Sequence, residues 1–210
     1  MRIGLPKGRL RDRGAAAMER WPLVLPDVPA KPMSLRMQDI PDLVADGLLD
    51  VAVTSDEWLV ESRADVVRVA PLCWYHVRIC AIGRPSPLLG DPVRVVSEYP
   101  NIARDYAEAR WPGRFVQRTV RGATEEYLPD LADIAVECVE TGQSIRRRGL
   151  VVLETLFEAD VWLVCSAETA RAAELVEDLR TWASHCADHE REGCPSGVAV
   201  TSAGTPGAAR

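Results

Sequence analysis

The chain has 210 residues, of which 47% are hydrophobic and 27% charged, as is usual for a soluble globular protein. Its formal net charge of −6 argues against a general nucleic-acid-binding protein, because binding to duplexes relies on a basic surface. No apolar run approaches the length of a membrane span, and the N-terminus lacks the apolar region of a signal peptide, so we expect a cytoplasmic protein.

Nine short apolar runs rich in β-branched residues predict β-strands along the chain. They are residues 2–6, 51–55, 66–72, 77–83, 94–98, 114–120, 133–139, 150–157 and 161–166. Several are apolar throughout, as strands buried on both faces of a sheet are. Cys80, Cys138 and Cys165 lie inside such runs, where a free cysteine acts as a small hydrophobic residue. We therefore expect reduced thiols rather than a disulfide framework.

Helix-like segments separate these strands, at 39–49, 101–111 and 123–132, and a longer one follows them at 166–183. Ser166 is a candidate N-cap of the longest segment, whose apolar residues then recur at helical spacing. The alternation of strands and helices predicts an α/β fold with mainly parallel sheets.

A stretch at 83–92, with three prolines and two glycines, predicts a boundary between two lobes. We expect lobe I to consist of residues 1–91 together with 159–186, and lobe II of residues 92–158. A cleft between two lobes is the default place for a ligand. The polar end of the chain, residues 187–210, has the composition of a disordered tail.

The stretch "VETGQSIRRRG" follows a predicted strand and reads as a Thr-Gly turn that leads into a helix. Backbone N–H groups at such a turn, with Gly142 allowing close approach, form an anion site, and the hydroxyls of Thr141 and Ser144 add donors. Glu137 and Glu140, just upstream, are suited to accept hydrogen bonds from the vicinal hydroxyls of a ribose. The pattern predicts a ribose 5-phosphate site, with an ordinary Ser-capped turn as the alternative.

Two other charged groups follow predicted strands. Lys7 and Arg9 flank Gly8 in "LPKGRL", directly after the first strand, and two cations around a flexible turn suit a pyrophosphate. Arg36 precedes a predicted helix and Asp56 follows the strand "VAVTS", so both are candidates for the same cleft. The alternatives are a solvated basic turn, a surface arginine and a helix-capping aspartate.

Five stretches of the chain form a specific pattern because they keep their order and spacing. They are "LPKGRL", "LRMQDIPDLVADGLLDVAVTSDEWLVE", "SEYPNIARDYAEAR", "GATEEYLPDLADIAVECVETGQSI" and "GLVVLETLFEADVWLV". Through them residues 1–185 resemble the ATP phosphoribosyltransferase family, which opens histidine biosynthesis. The resemblance implies a two-lobed fold like that of type II periplasmic binding proteins, with a cleft between the lobes. It also implies the family's short form, without a C-terminal regulatory domain.

The resemblance implies the family's reaction, in which N1 of the adenine of ATP attacks C1 of phosphoribosyl pyrophosphate (PRPP) and pyrophosphate leaves. The residues expected to be catalytic are Lys7, Arg9 and Glu137. The residues expected to bind PRPP are Glu137, Glu140, Thr141, Gly142, Gln143 and Ser144. The residues expected to bind ATP are Arg36, Asp56, Tyr99 and Glu125. Mg²⁺ is expected to bind through the pyrophosphate of PRPP, and no protein side chain is assigned as its ligand.

Short-form members typically work with a regulatory subunit that resembles a histidyl-tRNA synthetase, so we expect a homodimer with or without such a partner. No nucleic-acid or membrane partner is expected. The chain departs from the family pattern at Glu137, Ser144, Ser55 and the bulky stretch 72–76. These departures leave open a relative that performs this step, or a close variant, in the biosynthesis of pentostatin- or coformycin-type antibiotics. A PRPP-binding protein without catalysis and a transferase with another acceptor also stay open.

Overall fold

The computed structural model describes residues 1–20 and 29–187. The strands in this part of the chain are β1 (Arg2–Pro6), β2 (Lys31–Leu35), β3 (Val51–Ser55), β4 (Val67–Gly83), β5 (Val93–Ser97), β6 (Phe115–Thr119), β7 (Ile134–Val139) and β8 (Val151–Cys165). The α-helices are α1 (Arg11–Arg20), α2 (Ile40–Ala45), α3 (Asp56–Ser62), α4 (Pro100–Arg110), α5 (Gln143–Arg147) and α6 (Ala173–Cys186). The predicted α/β class is confirmed. The predicted disordered tail lies outside the described residues, apart from Ala187.

The chain forms two compact units. Unit 1 contains Met1–Tyr75 and the segment from Asp160 onward, and unit 2 contains His76–Ala159. Both boundaries fall inside long strands, β4 and β8, whereas the predicted lobe boundary falls in the loop before β5. The sequence predicts two strands in each of these regions, at 66–72 and 77–83 and at 150–157 and 161–166. In the structure each pair forms one continuous strand, and β4 contains the left-handed residue Cys73, with φ 52°. The assignment of two ligand-binding lobes with a cleft stays a prediction.

Unit 1 contains the strand order β2–β1–β3–β8. Strand β1 is parallel to β2 and β3, and β3 is antiparallel to the last part of β8, with Val51 opposite Cys165. The sequence does not predict β2, because four of its five residues are exposed at an edge and lack an apolar face. One apolar cluster of this unit contains Ile40, Val44, Leu49, Ala52, Leu59, Val66 and Val164.

Unit 2 contains the strand order β4–β7–β5–β6. Strand β7 is antiparallel to β4, with Arg78 opposite Val139, and β5 is parallel to β6 and β7. The core of this unit contains Cys80, Ile82, Val96, Val120, Ala132, Ala135, Val139, Ile145 and Leu150. The carboxyl ends of β5 and β7 therefore lie at the same edge of the sheet, and β7 leads from that core directly to the Thr-Gly turn.

Three predicted helices are shorter than the sequence indicates. The segment 39–49 forms only α2, Ile40–Ala45. The segment 123–132 forms only the 3-10 turn Thr124–Tyr127, because Leu128 precedes a proline and is extended. The segment 166–183 begins with the 3-10 turn Thr169–Arg171, and α6 follows it. The Ser166 hydroxyl accepts the N–H of Thr169 at 3.2 Å, so it caps the 3-10 turn rather than a long helix.

Cys80, Cys138, Cys165 and Cys186 are not in disulfide bonds, in agreement with the predicted reduced thiols. Burial raises the pKa of the Cys165 thiol to about 11, so it stays protonated as a core group. The prediction of reduced thiols is wrong for Cys73, which is disulfide-bonded. Within residues 1–20 and 29–187, no helix is long and apolar enough to cross a membrane.

Candidate functional site

The basic residues of unit 1 follow neighbouring parallel strands. Lys7 comes directly after β1, and Arg36 comes directly after β2. The Lys7 N–H donates to the Leu35 carbonyl at 2.7 Å, which holds the two strand ends side by side. Both cationic side chains are exposed. The carboxyl ends of parallel strands are where α/β folds place ligands, so the sheet topology brings the predicted cations to one edge.

Gly8 makes the sharp turn from β1 into the 3-10 helix Gly8–Leu10. Its φ of +75° lies in the left-handed region, which a residue with a Cβ rarely adopts. No atom lies within 4 Å of the position that a Cβ would occupy, so conformation and not space requires glycine here. Beyond the turn, the Arg9 guanidinium lies over the ring of Tyr75, 4.9 Å from its centroid.

Asp56, which follows β3, is fully engaged inside unit 1. Its Oδ1 accepts from Arg68 Nη2 at 2.8 Å. Its Oδ2 accepts from Trp162 Nε1 at 2.8 Å and from the Asp160 N–H at 3.1 Å. The N-cap residue of α3 is Ser55, so Asp56 is not the helix-capping aspartate of the alternative interpretation. The geometry indicates a structural carboxylate that links α3, β4 and β8.

Glu137 lies in β7 with its carboxylate half-buried. Thr124 Oγ1 donates to Glu137 Oε2, and the Cys138 N–H donates to Oε1 at 2.8 Å. Burial raises the pKa of the Glu137 carboxyl above its ordinary value. The two hydrogen bonds oppose this rise, and the negative charges of Glu98 and Glu125 add to it. Each carboxylate oxygen has further acceptor capacity, so Glu137 can still accept from a sugar hydroxyl.

The turn after β7 has the geometry that the sequence predicts. Gly142 adopts the left-handed conformation with φ 67°, directly before α5. A Cβ there would lie 3.2 Å from Arg146 Nη1, which is the movable end of a long side chain. Thr141 Oγ1 accepts the Gln143 N–H at 3.3 Å. The buried Ile145 packs α5 into the core of unit 2, and this packing holds the turn before the helix in place.

An open cavity of about 470 Å³ lies beside this turn and is lined by Glu125, Ser144, Arg147 and Arg148. The structure thus brings together two residues from separate predicted sets, Glu125 and Ser144. Arg148 is tied to the Glu126 carboxylate, while the exposed Arg147 has no recorded ion pair among the described residues. The run of arginines at 146–148, directly after the turn, is the sequence signal for this lining.

Two other predicted residues differ in accessibility. Tyr99 is only 3% exposed and is the N-cap residue of α4, and its N–H donates to Ser97 Oγ at 2.9 Å. Little of its ring is open to an adenine. Glu140 is exposed at the end of β7. Sequence reasoning did not single out Thr124 or Glu98, because their proximity to Glu137 depends on strand order and has no sequence motif.

Among the residues described, 1–20 and 29–187, no three His, Cys, Asp or Glu side chains are grouped so that they could hold a metal ion. Unit 1 has exposed cations after β1 and β2, and unit 2 has a half-buried carboxylate in β7 followed by a turn with a left-handed glycine. Such groups suit an anionic sugar phosphate.

Comparisons with known proteins agree with this chemistry. The family model described as HisG: ATP phosphoribosyltransferase matches residues 36–182. An ATP phosphoribosyltransferase of Chlorobium phaeovibrioides is 30% identical over 188 residues, which cover 79% of this chain and 63% of the relative. The chain thus spans less than two thirds of that relative's length. An ATP phosphoribosyltransferase of Campylobacter curvus is 28% identical over 177 residues, which cover 78% of this chain and 86% of the relative.

Solved structures show the fold. The chain is similar to the ATP phosphoribosyl transferase (HisG:HisZ) complex from Thermotoga maritima, with a TM-score of 0.73 and 18% identity, covering 88% of this chain and 99% of that one. It is also similar to the arginine-bound form of truncated ArgBP from T. maritima, with a TM-score of 0.53 and 14% identity, covering 88% and 95%. The fold is therefore shared with periplasmic-type binding proteins, as predicted. The family match, which spans most of the chain, decides the family: this chain belongs to the ATP phosphoribosyltransferase family.

Proposed function

We propose that the chain catalyses the Mg²⁺-dependent transfer of the phosphoribosyl group of PRPP to N1 of the adenine of ATP. The products are phosphoribosyl-ATP and pyrophosphate. The observation that carries the proposal is the family match over residues 36–182, which includes Glu137 and the turn 141–144. This turn, with its left-handed Gly142, has the form of a phosphate site.

PRPP is proposed to bind through its 5-phosphate to the turn Thr141, Gly142, Gln143 and Ser144. The N–H groups and hydroxyls of the turn are donors, which a phosphate oxygen requires. Glu137 and Glu140 are proposed to accept from the ribose hydroxyls. Thr124 holds the Glu137 carboxylate, so this group is in place before the substrate arrives.

Lys7 and Arg9 are proposed to stabilise the leaving pyrophosphate. As the C1–O bond breaks, positive charge develops on the ribose and negative charge on the pyrophosphate. Cations beside the departing oxygens lower the energy of that state. Mg²⁺ is proposed to arrive with the pyrophosphate of PRPP and to neutralise part of its charge. Exposed cations at the end of β1 fit such a substrate, since they contact the anion and not the metal.

ATP is proposed to bind with help from Arg36 and Glu125, and N1 of its adenine attacks C1 of the ribose. The N1 lone pair is free at neutral pH, so the reaction requires no strong general base. Positioning of two anionic substrates is the main task, and orientation supplies a large part of the rate. Direct contacts of Asp56 and Tyr99 with ATP stay predictions, because Asp56 already accepts three hydrogen bonds within unit 1 and Tyr99 is buried.

We also propose that the chain forms a homodimer that works with a HisZ-like regulatory subunit. The support is the similarity of fold to a HisG:HisZ complex from T. maritima. The proposal concerns activation and not chemistry, since the residues assigned to PRPP and ATP all come from this chain.

The direct test incubates the purified chain with ATP, PRPP and Mg²⁺ and measures phosphoribosyl-ATP by mass spectrometry. Glu137→Ala and Lys7→Ala are the inactive variants, and Asp46→Ala, which removes an exposed carboxylate outside the proposed site, is the control. We expect product with the unaltered chain and the control, and a loss of about a hundredfold or more with Glu137→Ala.

If the chain alone makes no product, a HisZ-like subunit is added and the assay is repeated. Product that appears only then supports the proposed partner. Intact PRPP binding without product under both conditions would overturn ATP as the acceptor. The same assay with other purine nucleotides then separates a transferase with a different acceptor from a protein that only binds PRPP.

A further inference from the structure

The Arg9 guanidinium lies on an aromatic ring that is itself fixed. Its Cζ is 4.9 Å from the centroid of the Tyr75 ring, within the range in which a cation is attracted to a ring face. The ring belongs to β4 and is only 3% exposed. Arg9 is exposed, whereas the Tyr75 ring on which it lies is part of the core of unit 1.

The Tyr75 hydroxyl is anchored by a buried carboxyl group. It donates to Glu57 Oε1, and Glu57 on α3 is only 2% exposed. The other oxygen, Oε2, has no hydrogen-bond partner among the described residues. A polar group buried in this way is costly, and the Tyr75 hydroxyl offsets part of that cost. The hydrogen bond from Tyr75 to Glu57 thus holds the ring in place, and a tyrosine at the surface would have no such buried partner.

This arrangement is specific to the bulky stretch 72–76. Trp74, beside Tyr75, is 3% exposed and donates its Nε1 to the Cys186 carbonyl at 2.8 Å. It serves packing against α6. Tyr75 is different, because one face of its ring supports a cation from the candidate pyrophosphate turn.

We propose that Tyr75 is a positioning residue for Arg9, and that Glu57 orients Tyr75 for this purpose. The inference rests on the proposed function, in which Arg9 contacts the leaving pyrophosphate. A guanidinium held on a ring has fewer conformations to lose when the anion binds. A guanidinium can stack on a ring with one face and bind phosphate oxygens through the N–H groups in its plane. Tyr75 itself contacts no substrate.

The test is a double-mutant cycle with Arg9→Ala, Tyr75→Leu and the combined variant. Tyr75→Phe keeps the ring and removes only the contact with Glu57, and it serves if Tyr75→Leu does not fold. Tyr106→Phe, a tyrosine of unit 2 far along the chain from the turn, is the matched control. The readouts are the KM values for PRPP and for ATP, and the dissociation constant of magnesium pyrophosphate measured by calorimetry.

We expect Tyr75→Leu to raise the KM for PRPP about fivefold without a change in the KM for ATP, since that is the usual size of a cation–π contact. Tyr75→Phe should have a smaller effect in the same direction. Arg9→Ala should raise the KM for PRPP about tenfold or more, and adding Tyr75→Leu to it should change nothing further.

Additive effects, about fiftyfold in the combined variant, would overturn the inference, because the two residues would then act independently. Equal changes in both KM values would also overturn it, since they indicate a general structural role. If the unaltered chain makes no phosphoribosyl-ATP either alone or with a HisZ-like subunit, the proposed function fails, but coupling in pyrophosphate binding still supports the inference. If magnesium pyrophosphate does not bind either, both the proposed function and this inference are overturned.

Discussion

The Thr124 hydroxyl donates a hydrogen bond to Glu137 Oε2 and so links the 3-10 turn Thr124–Tyr127 to strand β7. Thr124 is completely buried, and Glu137 is the acidic residue assigned to the ribose. The bond fixes the carboxylate and favours its ionised form against the effect of burial. Two residues that are thirteen positions apart in sequence thus form one unit of the candidate site.

Thr124→Val tests this bond, because valine has nearly the same shape and no hydroxyl. The pKa of Glu137 is already raised, so the ionised form is lost as the pH falls, and loss of the donor raises that pKa further. We expect the acid limb of kcat/KM for PRPP to move to higher pH, with a decrease of about tenfold near neutral pH. The measurement is a pH profile of initial rates. Thr124→Ser keeps the donor and should keep the profile, and an unchanged profile in Thr124→Val would contradict the assigned role.

Gly142→Ala tests the turn assigned to the 5-phosphate. Gly142 has φ 67° and Gly149 has φ 68°, so alanine is strained equally at either position and should lower the free energy of unfolding by about 1 kcal/mol. Only Gly142 lies in the turn, so only Gly142→Ala should raise the KM for PRPP. Urea unfolding and steady-state kinetics on both variants make the comparison. An equal rise of the KM for PRPP in both variants would show that backbone strain, and not the position of Gly142 in the turn, causes the rise.

Asp56→Ala distinguishes a structural from a nucleotide-binding role. The carboxylate accepts three hydrogen bonds and is paired with Arg68, so its removal leaves a partly buried cation without a partner. We expect a loss of about 3 kcal/mol in the free energy of unfolding. Asp46→Ala, at an exposed position, should change it by less than about 0.5 kcal/mol. A large rise in the KM for ATP with unchanged stability would favour direct binding instead.

Asp133→Asn tests the pH dependence of stability in unit 2. Burial alone would raise the pKa of Asp133, but bonds from Arg94 and from backbone N–H groups outweigh it and hold that pKa below its usual range. The stabilisation is therefore fully present above the unfolded pKa of about 4 and is lost as the pH falls through the folded value. We expect Asp133→Asn to cost about 2 kcal/mol at pH 7.

The measurement for Asp133 is urea unfolding between pH 7 and pH 3. The difference between the two proteins should be constant above about pH 5 and should shrink below about pH 4. A difference that grows as the pH falls would mean that the carboxylate is destabilising in the folded state, in contradiction to its pairing with Arg94.

Much of the local structure follows from sequence because short-range patterns decide it. The bounds of β1 and β3 agree with the predicted strands 2–6 and 51–55, whose hydropathy and flanking turns leave few alternatives. The Thr-Gly turn before α5 was also predictable, since a glycine before a new helix is a local signal. The edge strand β2 was not, because its exposed residues carry no burial pattern.

The sequence by itself determined the α/β class, the family resemblance and the residue types around the candidate phosphate turn. Tertiary structure alone decided which of those residues are accessible. Asp56 accepts hydrogen bonds from Arg68 and Trp162, which lie in β4 and β8. Thr124 meets Glu137, and Tyr75 meets Glu57 and Arg9, through pairings that have no sequence spacing of their own. The physical reason is that hydropathy and turn chemistry act over a few residues, whereas strand order and burial choose partners across the whole unit.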